Sequence, residues 1–295
     1  MTQLMLSARQ PSRSQSVTVR HRPDYQAVWA NLSYTGRPCM SPALLDDLAR
    51  AQDQIETLIG ACAKPGGGPE VLYQVLSSEA PGVFNLGGDL DYFLTCIRAR
   101  DREGLLDYAK SCVDIVYRAA CGYGAGLTTI SLVRGEALGG GFEAALASNV
   151  LIAEHGARFG FPETMFGMFP GMGAFSFLAR RVSPALAKRM IESGKVYTAE
   201  DLYQLGVVDR LVPDGEGVRA VYELITQRRN RTTGFLGLER AIDRFHPLSY
   251  EELVDIVHIW VNTALRLSPN NLRLMEYLLR AQQNRWENAA QVTAA

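Results

Sequence analysis

Apolar and polar positions along the chain alternate between a short-strand rhythm and a helical one. Residues 27–34 (AVWANLSY) form an apolar run that predicts a strand. Pro42 then opens a stretch in which Leu44, Leu45, Leu48 and Ile55 share one face, predicting a helix over about 42–59. The Gly- and Pro-rich segment 62–69 predicts a loop, and 71–76 a second strand. A loop near 79–82 leads into Phe84-Asn85-Leu86-Gly87-Gly88-Asp89-Leu90, followed by a helical region over about 90–120 with a break expected near Gly104. Residues 127–133 (LTTISLV) are β-branched and predict a buried strand. Gly139, Gly140 and Gly141 precede a short predicted helix, 142–148. Two short strands, 150–153 and 158–161, are then expected around a turn at 154–157.

The remainder reads as mostly helical. Ser183 and Pro184 start a helix as N-cap and first residue, and Gly194 ends it. Thr198 caps a short helix that stops at Gly206, before a strand at 207–212. Ser249 and Glu252 form an expected capping box. Leu253, Val257, Trp260, Val261 and Ala264 follow at helical spacing up to Pro269, and a last helix is expected over about 270–286. Strands alternating with helices predict an α/β class. The organisation expected is a flexible N-terminal tail (1–22), a core domain (23–225) and a C-terminal helical region (226–295).

Composition removes several classes of function. Of 295 residues, 47% are apolar and the formal net charge is −1, without a long run of Lys or Arg. That argues against nucleic acid or a membrane surface as partner. No stretch approaches ~20 apolar residues, so no membrane span is expected. The first twenty residues are polar, with no apolar run suited to a signal peptide. The five cysteines, at 39, 62, 96, 112 and 121, contain no C-x-x-C pair, and four histidines complete no zinc spacing. Free thiols in a cytoplasmic protein, with no metal and no cofactor, are the expectation.

No G-x-S-x-G elbow or P-loop is present, and His155, His246 and His258 have no nucleophile beside them. Gly139, Gly141 and Ala144 satisfy G-x-G-x-x-A, but five residues separate Val133 from the first glycine, against a dinucleotide turn that follows its strand directly. A different use of the glycines is better supported. Gly140 stands where a helix begins and Gly88 precedes Asp89, a good N-cap, so both N–H groups are free to point outward. Together they can form an oxyanion hole. Glu143 falls in the first turn after Gly140. Glu163 follows Pro162 at the end of the 150–161 excursion, among Phe159, Phe161, Met165, Phe166, Met168 and Phe169. Two carboxyls in such surroundings cannot both ionise easily, which yields one acid and one base near neutral pH.

These residues resemble the enoyl-CoA hydratase/isomerase (crotonase) superfamily. Its G-x-D and G-G-G-x-E segments read here as Gly87-Gly88-Asp89 and Gly139-Gly140-Gly141-Phe142-Glu143, and its P-E segment as Pro162-Glu163 ahead of Phe169-Pro170-Gly171-Met172-Gly173. The resemblance covers roughly 25–225 and implies a spiral fold of ββα units. Within the superfamily, FNLGGDLDYF (84–93), YGAGLTTISLV (123–133), ALGGGFEAALASNVLIAE (137–154), FPGMGAFSFLARR (169–181) and the region 248–280 are similar to the diffusible-signal-factor synthases of bacterial quorum sensing. One departure is Gly126-Leu127, where general crotonases often carry Lys-Pro.

That branch implies dehydration of a 3-hydroxyacyl chain on acyl carrier protein to the cis-2-enoyl form, then thioester hydrolysis to a free fatty acid. It also implies docking to the receiver domain of a sensor kinase, and the superfamily implies a trimer-type homo-oligomer. The alternative is an enoyl-CoA hydratase/isomerase acting on CoA thioesters. In either case Glu143 and Glu163 are the acid/base pair, in an order left open, and Gly88 and Gly140 the oxyanion donors. Met172 and Trp260 are candidates for the wall of an acyl tunnel, with plain core packing as the other reading. Arg180, Arg181, Lys188 and Arg189 are either a docking patch for an acidic carrier or an ordinary solvated helix face.

Overall fold

The computed structural model describes residues 16–66 and 70–294, with backbone alone at Arg285 and 287–294. Residues 1–15, most of the expected tail, and residues 67–69 of the expected 62–69 loop lie outside the described residues. Val17–Arg22, also expected in the tail, instead form strand β1, antiparallel to β2 (Ala27–Leu32) with Val17 opposite Leu32.

Helix α1 (Pro42–Cys62) starts as the sequence indicates, with the Ser41 hydroxyl accepting the Leu44 N–H. Three ββα turns follow. The first runs β3 (Tyr73–Ser78), β4 (Val83–Asn85), then helices α2 (Leu90–Ala99) and α3 (Arg102–Ala120). The second runs β5 (Thr128–Val133), β6 (Glu136–Leu138) and α4 (Gly140–Leu146). The third runs β7 (Val150–Glu154), β8 (Arg158–Gly160), a short 3-10 turn at Pro162–Phe166, then α5 (Ala174–Ala179) and α6 (Pro184–Glu192). Strand β9 (Val196–Thr198), helix α7 (Ala199–Gln204) and β10 (Arg210–Val212) close the core.

Each ββα turn places its first strand in one sheet and its second strand in another. The six-stranded sheet has order β1-β2-β3-β5-β7-β10 and the four-stranded sheet β4-β6-β8-β9. Neighbours β3, β5 and β7 are parallel, as are β4, β6 and β8. The large sheet is buried on both faces, which is why 128–133 reads as an unbroken apolar and β-branched run. On one side lie α1, α3 and the main core; on the other, Trp29, Val75, Ile130 and Ile152 pack against α8 (Gly217–Arg228).

The C-terminal region is helical: α9 (Thr232–Phe245), α10 (Tyr250–Ala264) and α11 (Pro269–Ala294). The boundary expected at 225 falls inside α8. Ser249 caps α10 through Glu252 N–H, but the Glu252 side chain turns to Arg180 instead of completing the box; the reciprocal box forms at Thr198 and Asp201. The break expected near Gly104 occurs earlier: Arg100 is left-handed (φ 53°) and Asp101 caps α3 through the Gly104 N–H. Among the described residues no helix is long and apolar enough to cross a membrane.

Candidate active site

Because β4, β6 and β8 run parallel and side by side, the segments leaving their C-terminal ends are neighbours in space. Gly88 follows β4, Gly140 follows β6 and Glu163 follows β8. The fold thus gathers residues 75 positions apart by using the same step of three successive turns. All three, with Glu143, line one cavity of about 60 Å³.

The Gly88 segment is tied down at several points. Asn85 Oδ1 accepts the Gly87 N–H at 2.8 Å, and Asn85 Nδ2 donates to the Tyr34 hydroxyl. Leu86 N–H donates to Pro38 C=O and Met40 N–H to Gly87 C=O, both at 2.7 Å. Asp89 caps α2 through Asp91 and Tyr92 N–H and pairs with Arg37 at 3.0 Å. A Cβ on Gly88 would lie 2.6 Å from the Phe93 ring, so the missing side chain serves packing as well as ligand access.

On the second segment, Gly139 has φ 49°, and a Cβ there would sit 2.2 Å from Glu163 Oε1. Glycine is therefore required both for the turn into α4 and for the approach of the carboxyl. Gly140 is the first residue of α4, so its N–H has no intrahelical partner. Neither the Gly88 nor the Gly140 N–H donates to an acceptor among the described residues. A Cβ on Gly140 would lie 3.6 Å from the Gly88 nitrogen, so the two donors are adjacent.

The carboxyls differ in their surroundings. Glu143 is 1% exposed; its Oε1 accepts Met172 N–H at 2.8 Å and Ala174 N–H at 3.0 Å. Burial pushes it up to about 7, against the pull of those two N–H groups. Glu163 is pushed up to about 8 by desolvation and then by the charge of Glu143. Its residue surface is only partly buried, but Oε2 is sealed and has no hydrogen-bond partner. A sealed, unpartnered carboxylate oxygen is costly, and Glu163 lines the same cavity as Glu143.

The cavity walls are apolar: Leu45 and Leu48 from α1, Val116 from α3, Phe93 from α2, with Met172 and Trp260. Trp260 on α10 is 3% exposed, stands edge-on to Phe93 at 5.0 Å, and fills the space beside Gly171. Both sequence candidates are thus wall and core at once. Tyr108, Met40 and Cys112 also line the cavity and were not singled out by sequence. Tyr108 and Cys112 lie on the buried stripe of α3, where no pattern separates a lining residue from a core one.

In the basic cluster, Arg180 and Arg181 are engaged within the fold, while Lys188 and Arg189 are exposed. Arg180 pairs with Glu252 at 2.9 Å and donates to the C=O groups of Ser176, His246 and Pro247. Arg181 pairs with Asp209 and donates to Val207 and Ser148 C=O. Both cations join α5 to later elements, and Lys188 pairs with Glu192 along α6.

The spiral of ββα turns with helices at its C-terminal end is a crotonase fold. Residues 51–234 match the enoyl-CoA hydratase/isomerase family, and the chain belongs to it. It is 42% identical over 89 residues to the mevalonyl-coenzyme A hydratase of Beauveria bassiana, covering 30% of this chain and 32% of the relative. It is 36% identical over 101 residues to the carnitinyl-CoA dehydratase of Salmonella typhimurium, covering 34% and 39%. The chain therefore matches about a third of the length of these relatives. The solved enoyl-CoA hydratase of Bacillus halodurans superposes over 90% of this chain and 99% of its own, with TM-score 0.70 and 19% identity, a likeness of fold.

Proposed function

We propose that the protein hydrates 2-enoyl thioesters and, in reverse, dehydrates 3-hydroxyacyl thioesters, acting on acyl-CoA substrates. The observation that carries this reading is the pairing of two buried carboxyls of raised pKa with two unengaged backbone N–H groups in one apolar cavity. The thioester C=O rests on the Gly88 and Gly140 N–H groups, which stabilise the enolate. In hydration, Glu143, held towards its ionised form by two N–H donors, takes a proton from water as oxygen bonds to C3. Glu163, with the higher pKa, gives its proton to C2. Dehydration reverses each transfer: Glu163 takes the C2 proton, Glu143 protonates the departing hydroxyl, and water leaves. The related mevalonyl-coenzyme A hydratase and carnitinyl-CoA dehydratase act on CoA thioesters, which supports the carrier assignment.

A second reading is favoured by the apolar lining, which includes Leu48 and Val116 and suits a hydrocarbon chain. In it the protein makes a cis-2-unsaturated fatty acid signal from a 3-hydroxyacyl carrier protein. Water attacks the enoyl thioester carbonyl on the same oxyanion hole, the C–S bond breaks, and the thiol leaves with a proton. The segment resemblance to diffusible-signal-factor synthases supports it, and receiver-domain docking rests on that resemblance alone.

Mass spectrometry after incubation with matched 3-hydroxyacyl-CoA and 3-hydroxyacyl carrier protein of graded length separates the two. The first reading expects 2-enoyl-CoA. Free 2-enoic acid made preferentially from the carrier protein establishes the second. No turnover of either series rejects both.

A further inference from the structure

We infer that Tyr108 is a positioning residue, holding the Gly88 N–H in its oxyanion-binding orientation. The inference rests on the proposed use of that N–H, and it follows from how the peptide groups on either side of Gly88 are pinned. In a trans peptide the C=O and N–H point in opposite directions. Met40 N–H holds Gly87 C=O at 2.7 Å, so the Gly88 N–H of that same peptide is turned the other way, towards the cavity. The next peptide needs its own anchor, or Gly88 can rotate about its φ and ψ with little resistance.

Tyr108 is that anchor. Its hydroxyl donates to Met40 C=O at 2.6 Å and accepts the Asp89 N–H at 3.3 Å. Met40 and Gly88 form a parallel bridge, and the hydroxyl serves as its second rung. One phenol therefore couples the loop before α1 to the start of α2, with Gly88 between its two contacts. The ring is fixed as well: Phe93 packs edge-on at 5.0 Å and Tyr92 stacks at 5.3 Å. Tyr108 is 4% exposed, and burial holds its phenol well above the usual range, so the hydroxyl remains a donor throughout the working pH range.

Removing the hydroxyl leaves Asp89 N–H and Met40 C=O buried without a partner. They either stay unpaired or close on each other, and both outcomes shift Gly88. Misplacing a preorganised group by a fraction of an ångström typically costs roughly tenfold to a hundredfold in rate. Tyr108→Phe should lower kcat by that factor, with KM within about threefold of wild type and the pH optimum unchanged. A catalytic acid or base would instead alter the pH profile.

Two measurements decide the matter. In ligand-free protein labelled with 15N-glycine, Tyr108→Phe should move the Gly88 amide resonance and leave that of Gly140 in place. With bound 3-ketoacyl-CoA, the near-ultraviolet enolate absorbance should fall in Tyr108→Phe and remain in Tyr92→Phe, which loses a hydroxyl bonded to Gly104 C=O instead. An unmoved Gly88 amide overturns the inference, as does a wild-type kcat in folded Tyr108→Phe. If the wild-type protein turns over no thioester, the functional reading falls, and the Gly88 resonance still decides what Tyr108 holds.

Discussion

Replacing Gly140 by alanine should separate stability from activity. Gly140 has an ordinary negative φ, so alanine fits its backbone. The added Cβ would meet the Gly88 nitrogen at 3.6 Å and Met40 Cγ at 3.7 Å, both ordinary van der Waals distances. The site is the first residue of α4, where alanine is favoured over glycine by up to about 1 kcal/mol. For a chain of this size that corresponds to a Tm unchanged or raised by roughly 2–4 °C. The methyl, however, points at the Gly88 N–H, beside the position a thioester oxygen must occupy to reach both donors. Losing one oxyanion contact typically costs about 10²–10³ in kcat, or roughly 3–4 kcal/mol. The assay is kcat for dehydration, read beside Tm by calorimetry. A folded Gly140→Ala protein within threefold of wild-type kcat would show that the carbonyl binds elsewhere.

How far the chain disclosed this site depends on the kind of signal. Gly88, Gly140, Glu143 and Glu163 were legible because each stands at a local feature: a helix start, a cap, or a Pro-Glu turn. The structure brings all four to one cavity. The reason they meet was not legible. Strands β4 and β6 have only three residues each, too few to show a period, and no element is predicted over 136–138. The dinucleotide fingerprint fails in sequence because five residues separate Val133 from Gly139. Strand β6 does precede it, but it belongs to the second sheet, and the turn leads to Glu163 instead of a phosphate cradle. Strand β1 was missed because only Val17 and Val19 alternate inward before His21 and the arginines. The roles of Arg180 and Arg181 depend on partners at 209 and 246–252, which no local pattern reveals.

Glu143→Gln and Glu163→Gln should each lower dehydration by roughly 10²–10⁴-fold, measured on a 3-hydroxyacyl thioester; a variant within threefold of wild type is not part of the proton transfer. Trp260→Phe should move acyl preference towards longer chains at modest cost, whereas Trp260→Ala should also lose about 3–5 kcal/mol of stability; a fixed product profile with lowered Tm assigns Trp260 to packing alone. Arg180→Ala should lower Tm without raising KM for a carrier-protein substrate, since its guanidinium is spent on Glu252 and three C=O groups. The pH dependence follows from the carboxyl pair. Activity needs one carboxyl ionised and one protonated, so kcat/KM should be bell-shaped with its maximum between about 7 and 8, the two limbs belonging to the pair jointly. Stability carries a pH dependence from the same pair. Both folded pKa values lie above the ordinary 4.5, so the folded state binds protons more tightly than the unfolded chain. The resulting stabilisation is complete below about 4.5 and is lost as pH rises through about 8. Glu163→Gln removes one of these groups and stays neutral. Its Tm should therefore gain on wild type from about pH 5 and level off above about pH 8, and a difference that stays flat from pH 5 to 8 would mean that Glu163 is not desolvated in the folded protein.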